Sequence, residues 1–426
     1  MSQNPFTYGR PISKSERFIG RSAELHRILS RLRNQAFESS SIIGDRRIGK
    51  TSLLKILGQK VQGDGMIPVY LDLQMIQAKH TPRDFWEQVL RRLARRVRDD
   101  EIKGFIQALR KEESIESFDL DDLFRDLEEA GLSIVLLLDE FEHVAGNTNF
   151  EPDFFSALRA LAIHHRLALV TTSYTDLSTL SHSDEVRASP FFNIFGSIYQ
   201  SSFTLEEAEQ LIDHYVEGTG IYFTKKDRQF LASIAGTHPY YLQIGGNLLF
   251  DAYRYFLPDK PYAEVRRRFA DEAEDTLQYS WRHTTDAEKI SLTVLALLGL
   301  AENDDVPAGF SKERLSDYYQ KAAYILNHLV RRGLVLEQDG KYALFSTVFA
   351  EWIRNELCNR QTTSQTYEEW LNQPPTQTRL KRLQSRVVGE VTERLLPAIN
   401  SRYRELIMGW LISDPTAEKV IELFGL

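Results

Sequence analysis

The stretch GDRRIGKTSLL, Gly44 to Leu54, follows the short apolar run Ser41 to Ile43. It has the spacing GxxxxGK[ST], in which two glycines bracket four residues and are followed by a lysine and a threonine. A run with helical spacing comes next, so the order is strand, glycine-bearing loop, helix. Glycines let several backbone N–H groups converge on one point, and the helix N-terminus adds partial positive charge. The stretch therefore predicts a cradle for phosphate groups.

The side chains after the loop match the needs of a bound triphosphate. Lys50 is long enough to reach the β- and γ-phosphates, and the Thr51 hydroxyl is a ligand type that suits Mg²⁺. The other members of the expected nucleotide site lie around them in the sequence. They are Gly44, Asp45, Arg46, Arg47, Ile48, Gly49 and Ser52.

Two carboxylates follow the run Ser133 to Leu138, which is apolar without alternation and so suits a strand buried on both faces. Asp139 then lies at the carboxyl end of that strand, where ligands of open α/β sheets bind, and is expected to anchor the magnesium ion. Glu140 is expected to orient water for in-line attack on the γ-phosphorus. The next strand ends near Thr172, whose hydroxyl is a candidate sensor of the water or the γ-phosphate. The alternative for Thr172 is ordinary turn chemistry at a strand end.

The order of the remaining elements predicts an α/β parallel sheet followed by helical domains. Further strand-like runs are Ile67 to Leu73 and Leu167 to Thr171, and one long helical stretch is expected over about residues 82–130. Residues 204–270 have only helical patterns. Three helical runs then precede a hairpin at Leu334 to Phe345, whose turn is Asp339-Gly340, and this order suggests a winged helix.

These patterns define four expected domains. An α/β domain is expected at residues 1–203, a helical lid at 204–275, a winged helix at 276–358, and a linker with a C-terminal helical segment at 359–426. Residues 1–17 are expected to form an irregular arm.

Composition narrows the functional classes. The 426-residue chain has a formal net charge of -8 and a pI near 5.8, which argues against a globally basic nucleic-acid protein. Its single cysteine excludes an internal disulfide, and the ten scattered histidines do not suggest a zinc site. The first residues lack the apolar core of a signal peptide, and the apolar runs are too short to span a bilayer. A cytoplasmic protein without a membrane partner is expected.

Three segments together resemble a known family. GDRRIGKTSLL, LLLDEF (Leu136 to Phe141) and FIGRSAEL (Phe18 to Leu25) are similar to the STAND-type ATPases, which are relatives of AAA+ proteins, and more narrowly to the archaeal-type ATPase clade. The resemblance covers about residues 15–350. It implies a P-loop ATPase of the ASCE type with an AAA+-like sheet, ATP or ADP as the nucleotide, and Mg²⁺ as the metal.

The resemblance also implies further nucleotide contacts. In the family the FIGR segment lies against the adenine, which implies base or sugar contacts for Ile19 and Arg21. The family's lid carries a GxP element, which GTHP matches here and which implies that His238 and Pro239 approach the nucleotide. The residue patterns alone give another interpretation, in which Gly236 ends one helix and Pro239 begins the next.

The function that the resemblance implies is a molecular switch or scaffold. Its nucleotide state would control conformation, oligomerisation or partner recruitment in signalling or defence, with a homo-oligomer or a partner protein expected. Many family members carry an arginine after the sensor strand, where this chain has Tyr174. Hydrolysis is therefore expected either to be slow or to need a neighbouring subunit for efficient turnover.

The alternative function is an ATPase similar to origin-recognition proteins or transposition regulators, which would bind DNA through the winged helix. Tyr319 to Arg332 would be its recognition helix, with Lys321, Arg331 and Arg332 as cations. A DNA reader that makes several phosphate contacts usually carries more positive charge than this segment does.

Overall fold

The computed structural model describes residues 3–180, 182–187, 190–255, 261–299, 309–317 and 321–359. The chain forms two compact units, Tyr8–Leu211 on the one hand and Met1–Thr7 together with Ile212–Leu426 on the other. We call them the sheet unit and the helical unit. The four domain boundaries expected from the sequence stay a prediction, and the C-terminal helical segment lies outside the described residues.

The sheet unit is built on five parallel strands. They are β1 (Ser40–Ile43), β2 (Ile67–Asp72), β3 (Ile134–Asp139), β4 (Leu167–Ser173) and β5 (Gly196–Tyr199). Their order in the sheet is β2-β3-β4-β1-β5, which confirms the predicted parallel α/β sheet. The strand β5 was not predicted, because Ile198 is the one fully buried residue among its four and the strand has no long apolar run.

Helices surround this sheet. They are α1 (Ser22–Arg33), α2 (Lys50–Gly63), α3 (Pro82–Leu93), α4 (Asp100–Leu109), α5 (Ser117–Glu129), α6 (Glu142–Ala145), α7 (Pro152–His164), α8 (Asp184–Arg187) and α9 (Leu205–Val216), and the boundary between the units falls inside α9. The prediction of one long helical stretch over residues 82–130 was wrong, because three separate helices, α3, α4 and α5, cover this range. Asp99 accepts hydrogen bonds from the N–H groups of Glu101 and Ile102, and this N-cap starts α4 as a separate helix.

The central strand β3 is buried on both faces, as its uninterrupted apolar run predicts. Ile134, Leu136 and Leu138 pack in the cluster that includes α3, α5 and α7, and Val135 and Leu137 pack with α1 and α2 on the other face. Each such side chain contributes about 1.5–3 kcal/mol by leaving water. Two-sided burial fixes the register of the strand and therefore the place where it ends.

The described residues of the helical unit form seven further helices and a small antiparallel sheet. They are α10 (Lys225–Ala235), α11 (Pro239–Arg254), α12 (Tyr262–Arg282), α13 (Asp286–Gly299), β6 (Phe310–Ser311), α14 (Lys312–Ser316), α15 (Ala322–Arg331), β7 (Val335–Gln338), β8 (Lys341–Leu344) and α16 (Thr347–Asn359). The sheet order is β6-β8-β7. Asp339 and Gly340 both have positive φ, 52° and 71°, and form the predicted hairpin turn. The hairpin follows the helices in the predicted order, and the winged helix itself stays a prediction.

The corner between α10 and α11 packs against the end of the hairpin. Gly236 has φ 58°, and a Cβ at this position would lie 2.2 Å from the carbonyl oxygen of Phe345. The Ser346 hydroxyl donates a hydrogen bond to the carbonyl of Ile234 beside it. The corner therefore requires glycine for two reasons, backbone conformation and close approach.

The first described residues belong to the helical unit. Phe6 is fully buried there, with its ring centroid 5.2 Å from that of Tyr215 and 6.0 Å from that of Phe223. The side-chain amide of Asn4 donates to the carbonyl of Asn247, and the side-chain amide of Asn247 donates to the carbonyl of Phe6. The expected arm is irregular over these residues, but it is a packed part of a core.

Among the described residues, no helix has the length and apolar character needed to cross a bilayer.

We expect Gly236→Ala to destabilise the helical unit by at least about 2–3 kcal/mol, because the added Cβ meets backbone and the φ is unfavourable for alanine. Gly218→Ala is the matched control, since Gly218 also has a positive φ of 70° but has no atom within 4 Å of the added Cβ. It should cost about 1 kcal/mol. Denaturant unfolding of both variants measures the difference, and equal losses would contradict the steric argument.

Candidate functional site

The predicted phosphate cradle lies between β1 and α2. Gly49 has φ 107° and immediately precedes α2, and Arg47 has φ 66°. A Cβ on Gly44 would lie 2.5 Å from the carbonyl oxygen of Gln200, which follows β5. Ile48 is fully buried beneath the loop. Both glycines of the motif are therefore required, one by conformation and one by close approach.

The Lys50 ammonium is folded back onto the loop. Its Nζ donates hydrogen bonds to the carbonyl oxygens of Gly44, at 2.8 Å, and Asp45, at 2.9 Å. Burial lowers the pKa of Lys50, and the nearby carboxylates of Glu142 and Asp45 oppose that shift. A phosphate in the cradle would compete with two loop carbonyls for the same cation.

The acidic pair is held by hydroxyl groups from neighbouring strands. Asp139 is buried at the end of β3, where its Oδ1 accepts from the Thr172 hydroxyl at 2.6 Å and its Oδ2 accepts from the Tyr70 hydroxyl at 2.9 Å. The Thr172 hydroxyl also accepts a hydrogen bond from the N–H of Glu140 at 2.8 Å. Glu140 adopts φ 56°, an uncommon conformation for a residue other than glycine. The Thr172 hydroxyl therefore positions both acids, because it donates to the side chain of Asp139 and accepts from the backbone of Glu140.

A third carboxylate, that of Glu142, lies close to Lys50. Burial raises the pKa of Glu142 to about 7, and the positive charge of Lys50 acts in the opposite direction. Its buried Oε2 has no hydrogen-bond partner among the described residues. Burial also raises the pKa of the Tyr174 phenol, and the charge of Glu142 adds to this effect. Lys50 is thus surrounded by carboxylates of more than one element.

Two family models match parts of the chain. A family model described as Novel STAND NTPase 2 matches residues 127–296, and one described as AAA domain matches residues 38–178, which include the loop and the acidic pair. Together the two matched regions support a STAND-type P-loop ATPase. No curated protein sequence matches it.

Two solved structures show the same fold as this ATPase. The Walker-type ATPase of Pyrococcus abyssi is 16% identical with a TM-score of 0.52, and the match covers 82% of this chain and 99% of that one. The ORC2 protein of Aeropyrum pernix, solved in ADPNP–ADP complexes, is 13% identical with a TM-score of 0.51, and covers 85% and 99%. At these identities the likeness shows a shared fold and nothing further.

The residues near the loop are suited to a magnesium ion as well as to the nucleotide that the ATPase binds. Thr51, in the first turn of α2, and Asp139 offer a hydroxyl and a carboxylate oxygen, which are the hard donors that Mg²⁺ prefers. Among the described residues, no group of three or more His, Cys, Asp or Glu side chains forms a metal cage. Such a sparse donor set fits an ion that takes its remaining ligands from water and phosphate.

Arg21 supports the loop from behind in the ATPase. Its Nη2 donates to the carbonyl oxygens of Ile48, at 3.3 Å, and Ser201, at 2.6 Å, and its Nη1 donates to Glu24 at 3.2 Å. Its backbone N–H donates to Glu207 at 2.7 Å. Burial lowers the pKa of Arg21, against the opposing charges of Glu24 and Glu207. The guanidinium is therefore engaged with protein groups, and the expected contact with a base or sugar stays a prediction.

The remaining expected nucleotide contacts lie in both units. Ile19 is half-buried in the sheet unit, directly before the turn that leads to Arg21. Pro239 is the first residue of α11 in the helical unit, and the His238 ring is buried with its centroid 4.7 Å from that of Tyr241. The structure thus brings the loop, the acidic pair and Arg21 together within one unit.

Three residues of the site were not among the predicted site residues. Tyr70 is a polar residue in an otherwise apolar strand, and its register beside β3 brings its hydroxyl to Asp139. Gln200 follows the strand that was missed. Glu142 is the third acid in the run DEFE, and this spacing was the available signal for it.

We expect Glu142→Gln to make the protein more stable than the wild type at high pH. The pKa of Glu142 is raised on folding, so folding favours its protonated form, and the wild type loses stability as pH rises from about 4.5 to about 7. The variant should gain about 2–3 kcal/mol relative to the wild type at pH 8 and nothing near pH 4.5.

Denaturant midpoints of both proteins between pH 4.5 and 8.5 measure this difference. Glu129→Gln, which removes an exposed carboxylate at the end of α5, controls for the loss of one negative charge. A difference between Glu142→Gln and the wild type that stays constant with pH would contradict the assignment.

Proposed function

We propose that the chain is an ATP-dependent molecular switch or scaffold that hydrolyses ATP slowly. The observation that carries the proposal is the position of Lys50, whose ammonium is bonded to the carbonyls of Gly44 and Asp45. A bound β- or γ-phosphate offers that cation a charged acceptor, and charge-assisted hydrogen bonds are about twice as strong as neutral ones. Nucleotide binding would therefore exchange one set of loop contacts for another.

Each residue of the site receives a role in this proposal. Lys50 contacts the β- and γ-phosphates, and Glu140 orients the attacking water. Thr51 and Asp139 hold Mg²⁺, which supplies charge neutralisation at the phosphates when it is bound. Thr172 keeps both acids in place. The backbone cradle consists of Gly44, Asp45, Arg46, Arg47, Ile48, Gly49 and Ser52. The other proposed nucleotide contacts are Ile19, Arg21, His238 and Pro239.

Slow turnover follows from the residue after β4. Tyr174 stands where the resemblance leads us to expect an arginine, and a missing cation near the γ-phosphate lowers phosphoryl-transfer rates by ~10³–10⁵. A long-lived ATP state suits a switch, because the state has to persist while partners assemble.

The energy needed for such a switch is modest. Moving a two-state equilibrium from 1:99 to 99:1 requires about 5.5 kcal/mol of differential binding. Several charge-assisted contacts that only a γ-phosphate makes would supply that amount. We infer that the ADP-bound protein is the resting state. The ATP-bound protein forms a homo-oligomer or recruits a partner protein, in signalling or defence.

Size measurement of the purified protein with ATP, with ADP and without nucleotide tests this proposal. We expect ATP to enlarge the assembly of the wild type, Glu140→Gln to make that assembly persist, and Lys50→Ala to abolish it. Glu129→Gln should behave as the wild type. Three indistinguishable profiles for the wild type, Glu140→Gln and Lys50→Ala would remove the switch proposal.

The second candidate function is DNA binding through the helical unit. One observation favours it, since α15 has exposed side chains along one face, including Tyr324, which is 88% exposed, and Arg331. Another opposes it. Arg332 is tied to the buried carboxylate of Glu288 at 3.2 Å, and His328 and Arg332 lower the pKa of Glu288 to about 2 despite its burial. Arg332, one of the three cations expected to contact DNA, thus stabilises a buried carboxylate of the core.

We expect duplex binding to be weak and nearly independent of Arg331. If DNA were the ligand, Arg331→Ala would lower the slope of log affinity against log salt by about 1. Arg332→Ala is the matched comparison, because it should cost about 3–5 kcal/mol of stability by leaving a buried carboxylate uncompensated. Titration of a labelled duplex at several salt concentrations measures this slope. A steep dependence of log affinity on log salt that Arg331→Ala reduces would favour the DNA function.

A further inference from the structure

A buried glutamine lies against the phosphate loop. Gln200 directly follows β5, and its backbone N–H donates to the carbonyl of Ile43 at 2.7 Å, next to the first residue of the loop. The residue is 0% exposed. Neither the oxygen nor the nitrogen of its side-chain amide has a hydrogen-bond partner among the described residues.

The side chain of Gln200 extends between the two glycines of the motif. A Cβ on Gly44 would lie 2.5 Å from the Gln200 carbonyl oxygen and 3.4 Å from its Cβ, so the base of the side chain touches the start of the loop. A Cβ on Gly49 would lie 3.4 Å from the Gln200 amide nitrogen, so the tip of the side chain reaches the end of the loop. Apart from the chain neighbours of Gly49, no other described side chain lies within 4 Å of that Cβ position.

A buried amide without partners is costly. Leaving a buried donor or acceptor unsatisfied costs about 1–3 kcal/mol, so the arrangement with Lys50 folded onto Gly44 and Asp45 carries this cost at Gln200. An apolar side chain of the same size would fill the space without that cost. A second arrangement of the loop, in which the amide is hydrogen-bonded, would remove this cost.

We propose that Gln200 is a positioning residue of the phosphate loop. Its amide hydrogen-bonds the loop backbone near Gly49 when the loop holds a β-phosphate, and it lacks these bonds while the Lys50 ammonium occupies the loop carbonyls. Gln200 thereby shifts the loop toward its loaded arrangement. This inference rests on the proposed nucleotide site and adds a residue that the motif does not contain.

The inference has a specific ligand dependence. ADP and ATP both place a β-phosphate in the loop, so the contribution of Gln200 should be the same for the two nucleotides. AMP has no β-phosphate and should not benefit. A residue that senses the γ-phosphate would instead separate ATP from ADP.

The experiment compares the full chain with Gln200→Met, which keeps the length of the side chain and removes the amide. Calorimetric titration gives the affinities for AMP, for ADP and for a non-hydrolysable ATP analogue, and thermal unfolding gives the stability without nucleotide. We expect ADP and the analogue each to bind about tenfold more weakly, AMP to bind as to the wild type, and the nucleotide-free variant to unfold at the same or a higher temperature. Gln210→Met, at an exposed site on α9, is the control for the substitution itself.

Gln200→Asn keeps the amide but shortens the side chain, and it should show the same loss for ADP if Gln200→Met does not fold. Unchanged ADP affinity in a variant would overturn the inference. So would a lower unfolding temperature without nucleotide together with equal losses for all three ligands, since that pattern indicates a purely structural residue. If the wild type bound neither ADP nor the analogue, the result would contradict the proposed function itself, independently of the role of Gln200.

Discussion

The site depends on the parallel pairing of β3, β4 and β1, which brings three carboxyl ends to one edge of the sheet. Because β4 lies between the other two, a single hydroxyl at its end, that of Thr172, bonds both the side chain of Asp139 and the backbone of Glu140. The uncommon backbone conformation of Glu140 persists because this bond and the pairing around it hold it there. Two-sided burial of the strands fixes the register, so the hydrophobic core sets the geometry of the charged groups.

Electrostatics around the loop follow from the same placement. Lys50 is surrounded by carboxylates, of which Glu142 is largely kept from water, and the loop carbonyls supply its hydrogen bonds. In low-dielectric surroundings each of these interactions is stronger than it would be in water. An incoming polyphosphate would therefore meet an ordered set of charges and compete with the loop carbonyls for the Lys50 ammonium.

How far the sequence predicted the structure depended on how local each feature is. The loop and the acidic pair were predictable, because strand, loop and helix are consecutive and the chemistry lies within a few residues. The contact between Tyr70 and Asp139 was not, since it joins residues 69 positions apart and depends on strand register. Gln200 was missed for a related reason, as a four-residue strand with one buried side chain has no periodic signal. The break before α4 needed the side-chain geometry of Asp99, which an apolar periodicity does not contain.

The buried position of Phe6 has a consequence for how the chain can be cut. Because residues before Tyr8 and residues after Leu211 belong to the same unit, the sheet unit is in topological terms an insertion within the other. A recombinant fragment that begins at residue 8 would therefore leave the sheet unit whole and remove an aromatic side chain from the core of its neighbour.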